Sequence, residues 1–342
     1  DAFVLLGKDI KENINSDDYQ TVISKAQDKN HWFTKDSIET ALTNLCIFFN
    51  EKDLKDFCNK YSFAQKQKKV AIICAGNIPM VAFHDILMAL LSGNKALVKL
   101  SSNDDVLIPF LIGREKDLQD KVVFVDKIHD YDAVIATGSN NTARYFQQYF
   151  SCVPHLIRQN RSSVAIIQDQ DTDQDLSLLA KDIFLYYGLG CRNVSCLFLP
   201  KGFDIQRLTK VFAPYSYSID NHKYKNNYDY YKAVLIMNNM PFVDANDILL
   251  VPNDDYFSPV AVLNYTFYDD INEVFTSLSS NKDSLQCVSL SSLATLPSSF
   301  SNNPSSFFAS HSSLFTSFGT TQQPLLSTFA DGVDTMHFLN EI

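Results

Sequence analysis

The sequence predicts an α/β protein of two domains built on doubly wound parallel sheets, and three observations carry this. At 342 residues the chain exceeds the size at which a single core usually keeps growing. Hydrophobic residues make up 46% of it, enough for substantial cores. From Lys69 onward, apolar runs of strand type alternate with helical stretches, the pattern of parallel strands joined by crossover helices.

Residues 1–69 are polar and helix-leaning, and within them 36–50 reads as an amphipathic helix with Ile38, Leu42, Leu45 and Phe49 on one face. KKVAIICAGNIP is a buried strand running into a turn. PMVAFHDILMALLSGN is an apolar helix starting at Pro79 and stopped by Gly93 and Asn94, and KALVKLSS is a second strand. Strand, helix and strand over about 30 residues make a βαβ unit. DVLIPFLIGREKDL predicts a helix, VVFVD and DAVIATGS two strands, NTARYFQQYF a helix and SVAIIQD a strand. DTDQDLSLLAKDIFLYYG is a helix with Asp-rich capping. Beyond Leu199 follow a weaker α/β stretch, strands at AVLIMN and DILLVP, and DDYFSPVAVLNYTFYDD running from loop into strand. Residues 277–317 are Ser-rich, yet Phe300, Phe307, Phe308, Leu314 and Phe315 predict irregular packed structure rather than a linker. The tail DTMHFLNEI reads as a short helix capped by Asp334.

A formal net charge of −10 argues against nucleic acid or an anionic membrane as the main partner. No apolar run reaches the length of a membrane span, and no charged-then-apolar signal pattern opens the chain. The seven cysteines (Cys46, Cys58, Cys74, Cys152, Cys191, Cys196, Cys287) are irregularly spaced and include no CxxC. Thiols in a reducing cytoplasm are therefore expected, rather than a disulfide framework, and no metal site.

Cys191 is the most informative of them. In YYGLGCRNVSCLFL an apolar helical run ends at Gly188, a second glycine follows at 190, and a β-branched and aromatic strand begins after the cysteine. Helix, glycine-flanked turn and strand present a thiol with little steric cover, and a thiolate so placed is a nucleophile for acyl chemistry. The alternative is a small buried hydrophobe. Asn77 ends the first strand, where α/β sheets place functional groups. Its amide suits an oxyanion hole or a helix cap. Lys99, at the end of the next strand, is either a solvated charge or a contact for cofactor phosphate or ribose. Thr137, Gly138 and Ser139 join a buried strand to a helix N-terminus, an anion or cofactor contact, although no GxGxxG fingerprint is present. His84 faces an acyl channel or packs at the surface, and Asp85 complements the helix dipole. Arg192 lowers the thiol pKa, binds a substrate phosphate or turns outward; Asn193 also flanks the nucleophile. Cys196 reads as core, and His222 as a surface loop or a coenzyme A contact.

With GNIP, VKLSS, TGS, GLGCRN, DYFSPV and FADGVDTM in this order, residues 70–342 resemble the acyl-CoA reductase family of bacterial luminescence systems, a branch of the aldehyde dehydrogenase superfamily. The resemblance implies an aldehyde-dehydrogenase-like α/β fold. A Rossmann-type cofactor domain would span 1–160 with the tail 320–342, and an α/β catalytic domain would span 161–319. It implies NAD(P)H-dependent reduction of an acyl thioester, fatty acyl-CoA, to the aldehyde. Cys191 would carry the acyl group, and Asn77 with the Cys191 backbone N–H would hold the oxyanion. Lys99 would bind the adenosine ribose or its phosphate, and Gly138 and Ser139 would lie against the pyrophosphate and nicotinamide ribose. Asp255 would stand where the superfamily usually has a Glu contacting the nicotinamide ribose, with Phe257 beside the nicotinamide.

Two departures refine the expectation. Hydrolytic relatives carry a Glu base in an ELGGK-like segment, but in HLIRQNRSSVAII the matching position holds Ile157 or Arg158. That favours reduction or thiol exchange over attack by water. At Ser102, where NAD-preferring relatives often have an acid, a neutral side chain beside Lys99 permits NADP; NADPH is expected, with NAD the alternative. The acyl donor would be acyl-CoA or an acyl-protein thioester, and a homo-oligomer is expected. Short-chain acylating aldehyde dehydrogenase, acyl-phosphate reductase and a non-catalytic acyl-binding subunit are the alternatives.

Overall fold

A computed structural model, which describes residues 1–63, 66–291 and 311–342, divides the chain into two units: Asp1–Asn160 with Leu325–Ile342, and Arg161–Pro324. The first unit opens with four helices, α1 (Ala2–Asn13), α2 (Asp17–Lys29), α3 (Lys35–Leu45) and α4 (Glu51–Cys58). Ile38, Leu42, Leu45 and Phe49 are all buried, as their spacing predicts, although α3 ends at Leu45 and Phe49 lies in the turns beyond. A five-stranded sheet follows, built from β1 (Lys69–Ile73), β2 (Lys95–Lys99), β3 (Val122–Phe124), β4 (Ala133–Thr137) and β5 (His155–Arg158). Its order is β3-β2-β1-β4-β5 and every pair is parallel. Helices α5 (Phe83–Leu91), α6 (Leu107–Gly113), α7 (Lys116–Gln119) and α8 (Asn140–Tyr149) connect the strands. Val70, Ala71 and Ile72 are fully buried, as are Ala133 to Ala136, which is why these strands read as continuous apolar runs. A terminal helix, Thr335–Asn340, is capped by Asp334, whose carboxylate accepts the His337 N–H, as expected.

The second unit holds a seven-stranded sheet of β6 (Ser162–Ile166), β7 (Val194–Pro200), β8 (Val243–Asp244), β9 (Leu249–Pro252), β10 (Val262–Tyr268), β11 (Leu285–Leu290) and β12 (Phe315–Ser317). Its order is β12-β11-β6-β7-β10-β9-β8, parallel except for the β8–β9 pair. Side chains alternate between two cores, one on each face. Ala165, Leu197 and Leu199 pack with α9 (Asp173–Phe184) and α10 (Gln206–Phe212), while Val164, Ile166, Cys196 and Phe198 pack with α12 (Ile271–Ser280). Helix α9 starts at a capping box in which Thr172 and Asp175 exchange hydrogen bonds.

Three expectations are corrected, and one strand had no expectation. The AVLIMN run is not a strand but the end of α11 (His222–Met237), whose Tyr224, Tyr228 and Leu235 face inward while Ile236 and Met237 stay exposed. The helix expected from Pro79 starts at Phe83, because Met80 adopts a left-handed φ of 56°. The helix expected at DVLIPFLIGREKDL is two, α6 and α7. HLIR forms the strand β5, which periodicity over four residues could not reveal. Leu314 and Phe315 are buried in the core around β11, as expected of packed structure, whereas Phe300, Phe307 and Phe308 lie outside the described residues. No described helix is long and apolar enough to cross a membrane.

Candidate active site

In the first unit the candidate residues follow strands. Neighbouring strands β1 and β4 connect in opposite directions across the sheet, to β2 on one side and β5 on the other. Loops at the carboxyl ends of such strands form the crevice where open α/β sheets take ligands. Asn77 lies exposed in the loop after β1, Lys99 is the exposed last residue of β2, and Ser102 is exposed in the next turn. Gly138 and Ser139 follow β4, and the Ser139 hydroxyl caps α8 by accepting the Thr142 N–H at 3.3 Å. These five residues share one edge of one sheet.

The Asn77 loop is locked to the turn after β2. A Cβ at Gly76 would fall 2.5 Å from Ser101 Oγ and 2.9 Å from Ser101 Cβ, so only glycine allows the two turns to approach this closely. Asn30 donates from Nδ2 to Gly76 O at 3.4 Å and to Asn103 O at 3.2 Å. Asp104 accepts the Met80 N–H at 2.6 Å, which holds Met80 in its left-handed conformation. Burial pushes the Asp104 carboxyl up to about 7 against the help of that N–H, and its Oδ1 has no hydrogen-bond partner. No local pattern marks Asp104, because its partner lies 24 positions away.

Arg158, at one of the two positions matched to the hydrolytic base, is a buried clamp. Its guanidinium meets Asp85 through Nη2 at 2.7 Å and Nε at 3.1 Å, and donates to Ala330 O at 3.0 Å, Asp331 Oδ2 at 3.3 Å and Thr335 Oγ1 at 2.9 Å. The ADGVDTM motif is thus bound to α5 through one arginine. Burial opposes the Asp85 charge, but Arg158 and His84 hold its carboxyl well below the usual range. Asp85 therefore does more than complement a helix dipole. His84 is mostly buried against Phe48, with ring centroids 5.8 Å apart and Nδ1 3.6 Å from Asp85 Oδ1.

In the second unit the candidate residues precede strands. Cys191 lies exposed three residues before β7. Helix α9 gives way to a turn in which Tyr186, Tyr187 and Gly188 are left-handed, with φ of 54°, 57° and 74°. Glycine takes this conformation freely, whereas each tyrosine is strained by about 1–3 kcal/mol. Asn193 N donates to Gly190 O at 3.0 Å and Gly190 N to Asn193 Oδ1 at 2.9 Å, closing a four-residue turn with Cys191 in second place. Ser163 Oγ donates to Cys191 O at 2.8 Å and lies 3.0 Å from Cys287 Sγ. Arg192 donates to Thr321 O at 3.4 Å and opposes the burial that pushes the Cys287 thiol up.

The same edge of the sheet carries the DDYFSPV loop. Ser195 donates to Tyr256 O at 2.6 Å, while Asn264 donates to Asp255 O and Phe257 O at 2.9 and 3.0 Å, so the loop is anchored to β7 and β10. Asp255 and Phe257 are exposed, Phe257 by 65%, and are thereby brought to the end of the sheet that carries Cys191. Cys196 is core, as expected, its thiol pushed up to about 12 by burial. His222 is the exposed first residue of α11 rather than part of a loop.

A model of the family described as acyl-CoA reductase (LuxC) matches residues 8–213. Among solved structures, an aldehyde dehydrogenase of Mycobacterium tuberculosis complexed with NAD+ is similar with a TM-score of 0.62 at 14% identity, over 84% of this chain and 72% of that one. An aldehyde dehydrogenase of Bacillus cereus in its NAD+ complex gives 0.61 at 14%, over 86% and 72%. Succinic semialdehyde dehydrogenase of Streptococcus pyogenes, in complex with NADP+, gives 0.60 at 10%, over 84% and 75%. Identities this low carry the fold alone. No curated protein matches the chain. With more than half of its length matched by the family and its fold shared with aldehyde dehydrogenases, the protein belongs to the acyl-CoA reductase (LuxC) family.

Proposed function

We propose that the protein reduces a fatty acyl-CoA to the aldehyde at the expense of NADPH, through a thioester on Cys191. The observation that carries this reading is the turn at Gly190–Asn193, which holds an exposed cysteine on a backbone pinned at Gly190, Cys191 O and Asn193 N. The Cys191 thiolate attacks the thioester carbonyl, the carbonyl electrons move to oxygen, and Asn77 with the Cys191 N–H stabilises that oxyanion. Collapse breaks the bond to coenzyme A, which leaves as thiolate, and the acyl group stays on Cys191. A bound nicotinamide supplies the hydride for reduction of this acyl group. The resulting thiohemiacetal on Cys191 releases the aldehyde and restores the thiolate.

The first unit serves as the cofactor domain and the second as the catalytic domain. The donor set of the first unit fits a phosphate-bearing cofactor: an ammonium at Lys99, hydroxyls at Ser102 and Ser139, and the N-terminus of α8, all on one sheet edge. Asp255 and Phe257 would meet the nicotinamide end. Arg158 supports reduction over hydrolysis, since a guanidinium stays protonated and cannot activate water, and its donors are taken up by Asp85, Ala330, Asp331 and Thr335.

Mixing the protein with a long-chain acyl-CoA and NADPH tests the proposal. Aldehyde, coenzyme A and oxidised cofactor are expected in equal amounts, with slower turnover on NADH and on short acyl chains. Release of free fatty acid without cofactor oxidation would overturn it.

A further inference from the structure

We infer that Asn193 is the positioning residue of the nucleophile: one side chain closes the turn carrying Cys191 and satisfies the helix end that runs into it. The inference rests on Cys191 being the nucleophile. Thiolates are usually stabilised at helix N-termini. Cys191 instead follows the C-terminus of α9, where carbonyls without amide partners form the negative end of the helix dipole. The left-handed run Tyr186–Gly188 ends the α-helix there and replaces its next turn by a tighter, irregular one.

Asn193 supplies the substitute. Its Nδ2 lies 3.0 Å from Asp182 O, 3.3 Å from Ile183 O and 2.6 Å from Leu185 O. Its Oδ1 accepts the Gly190 N–H, and its own N–H returns to Gly190 O. The residue is only 2% exposed, so these bonds are made out of water. Asparagine alone combines a two-proton donor and an acceptor on so short a stem; aspartate keeps the acceptor but loses both donors and adds a charge. The Asp182 carboxylate accepts from Ser289 Oγ, Gly319 N, Thr321 N and Thr321 Oγ1, and Arg192 lies with Thr321 O and Cys287.

The test is the rate of iodoacetamide alkylation of Cys191 between pH 6 and 10, read peptide by peptide, with exposed Cys152 of the same sample as internal reference. In Asn193→Ala the rate at pH 7 is expected to fall about tenfold, the effect of moving a thiol titration by one pH unit. Asn193→Asp should fall further, and Asn193→Ser, which keeps one donor and one acceptor, should fall between Ala and the wild type. All profiles should shift to higher pH and converge at the alkaline end, while Cys152 is unchanged. Wild-type rates in the variants would overturn the inference, as would a loss by the same factor at every pH, which marks a merely structural role. If Asn193→Ala does not fold, the Ser and Asp variants carry the comparison. Failure of the acyl chemistry itself would show separately, as wild-type Cys191 that alkylates normally and takes up no acyl group.

Discussion

The two units present their candidate residues from opposite ends of parallel sheets. In the first, Asn77, Lys99, Gly138 and Ser139 lie at or after the carboxyl ends of strands, and Ser139 caps α8, where the backbone itself offers N–H donors to an anion. In the second, Cys191, Asp255 and Phe257 come before strands, and Cys191 follows a helix C-terminus whose carbonyls would disfavour a thiolate. A loop after a strand can recruit a helix dipole unaided. A nucleophile before a strand needs a side chain to neutralise the helix that delivers it, and Asn193 meets that need.

Cys191→Ala should lower turnover by about 10⁴-fold or more, since removing a nucleophile removes the route; a steady-state assay of aldehyde formation reads it. Arg158→Met leaves buried Asp85 and half-buried Asp331 without their cation and should destabilise the first unit by about 3–5 kcal/mol, seen as a lower denaturation midpoint. The Asp85 contribution is present above pH 4 or so, where the unfolded carboxylate is ionised, and is lost as acid protonates the folded one, because its folded pKa is depressed. Asn77→Ala should lower kcat by about 10²–10³ with little change in KM, the cost of one oxyanion donor; a rise in KM alone would make Asn77 a substrate-binding residue instead.

Asp104 predicts the opposite pH behaviour to Asp85. Its folded carboxyl titrates near 7 and its unfolded one near 4, so the folded state holds a proton that the unfolded chain releases. Stability of the first unit should therefore fall as pH rises from about 4 to about 7. Asp104→Asn, which still accepts the Met80 N–H, should remove that slope in urea titrations at pH 5 and pH 8. The smallest effect is expected from Ser139→Ala, about 1 kcal/mol for a lost cap. Weaker NADPH binding beyond that stability change would assign the hydroxyl to the cofactor.

The central strands are legible because both their faces are largely buried: VAII, AVIAT and VSCLFL carry no polar alternation that a helix could exploit. The cysteine turn was legible from its glycines and the following strand. AVLIM misled because its apolar side chains point partly to solvent, where burial does not enforce a period. The clamp of Arg158 on Asp85 and Thr335 spans 73 and 177 positions, and no local pattern encodes such a contact. Asn193 stood in plain view beside Cys191, but its work depends on carbonyls eight to eleven residues upstream that only the left-handed tyrosines bring within reach.

The most direct test of the central claim is intact-protein mass spectrometry after mixing with a long-chain acyl-CoA, wild type beside Cys191→Ala, followed by NADPH. A mass increase equal to one acyl group in the wild type alone, discharged as aldehyde when NADPH is added, is the predicted result. No adduct on the wild type, or the same adduct on Cys191→Ala, would contradict covalent catalysis at Cys191.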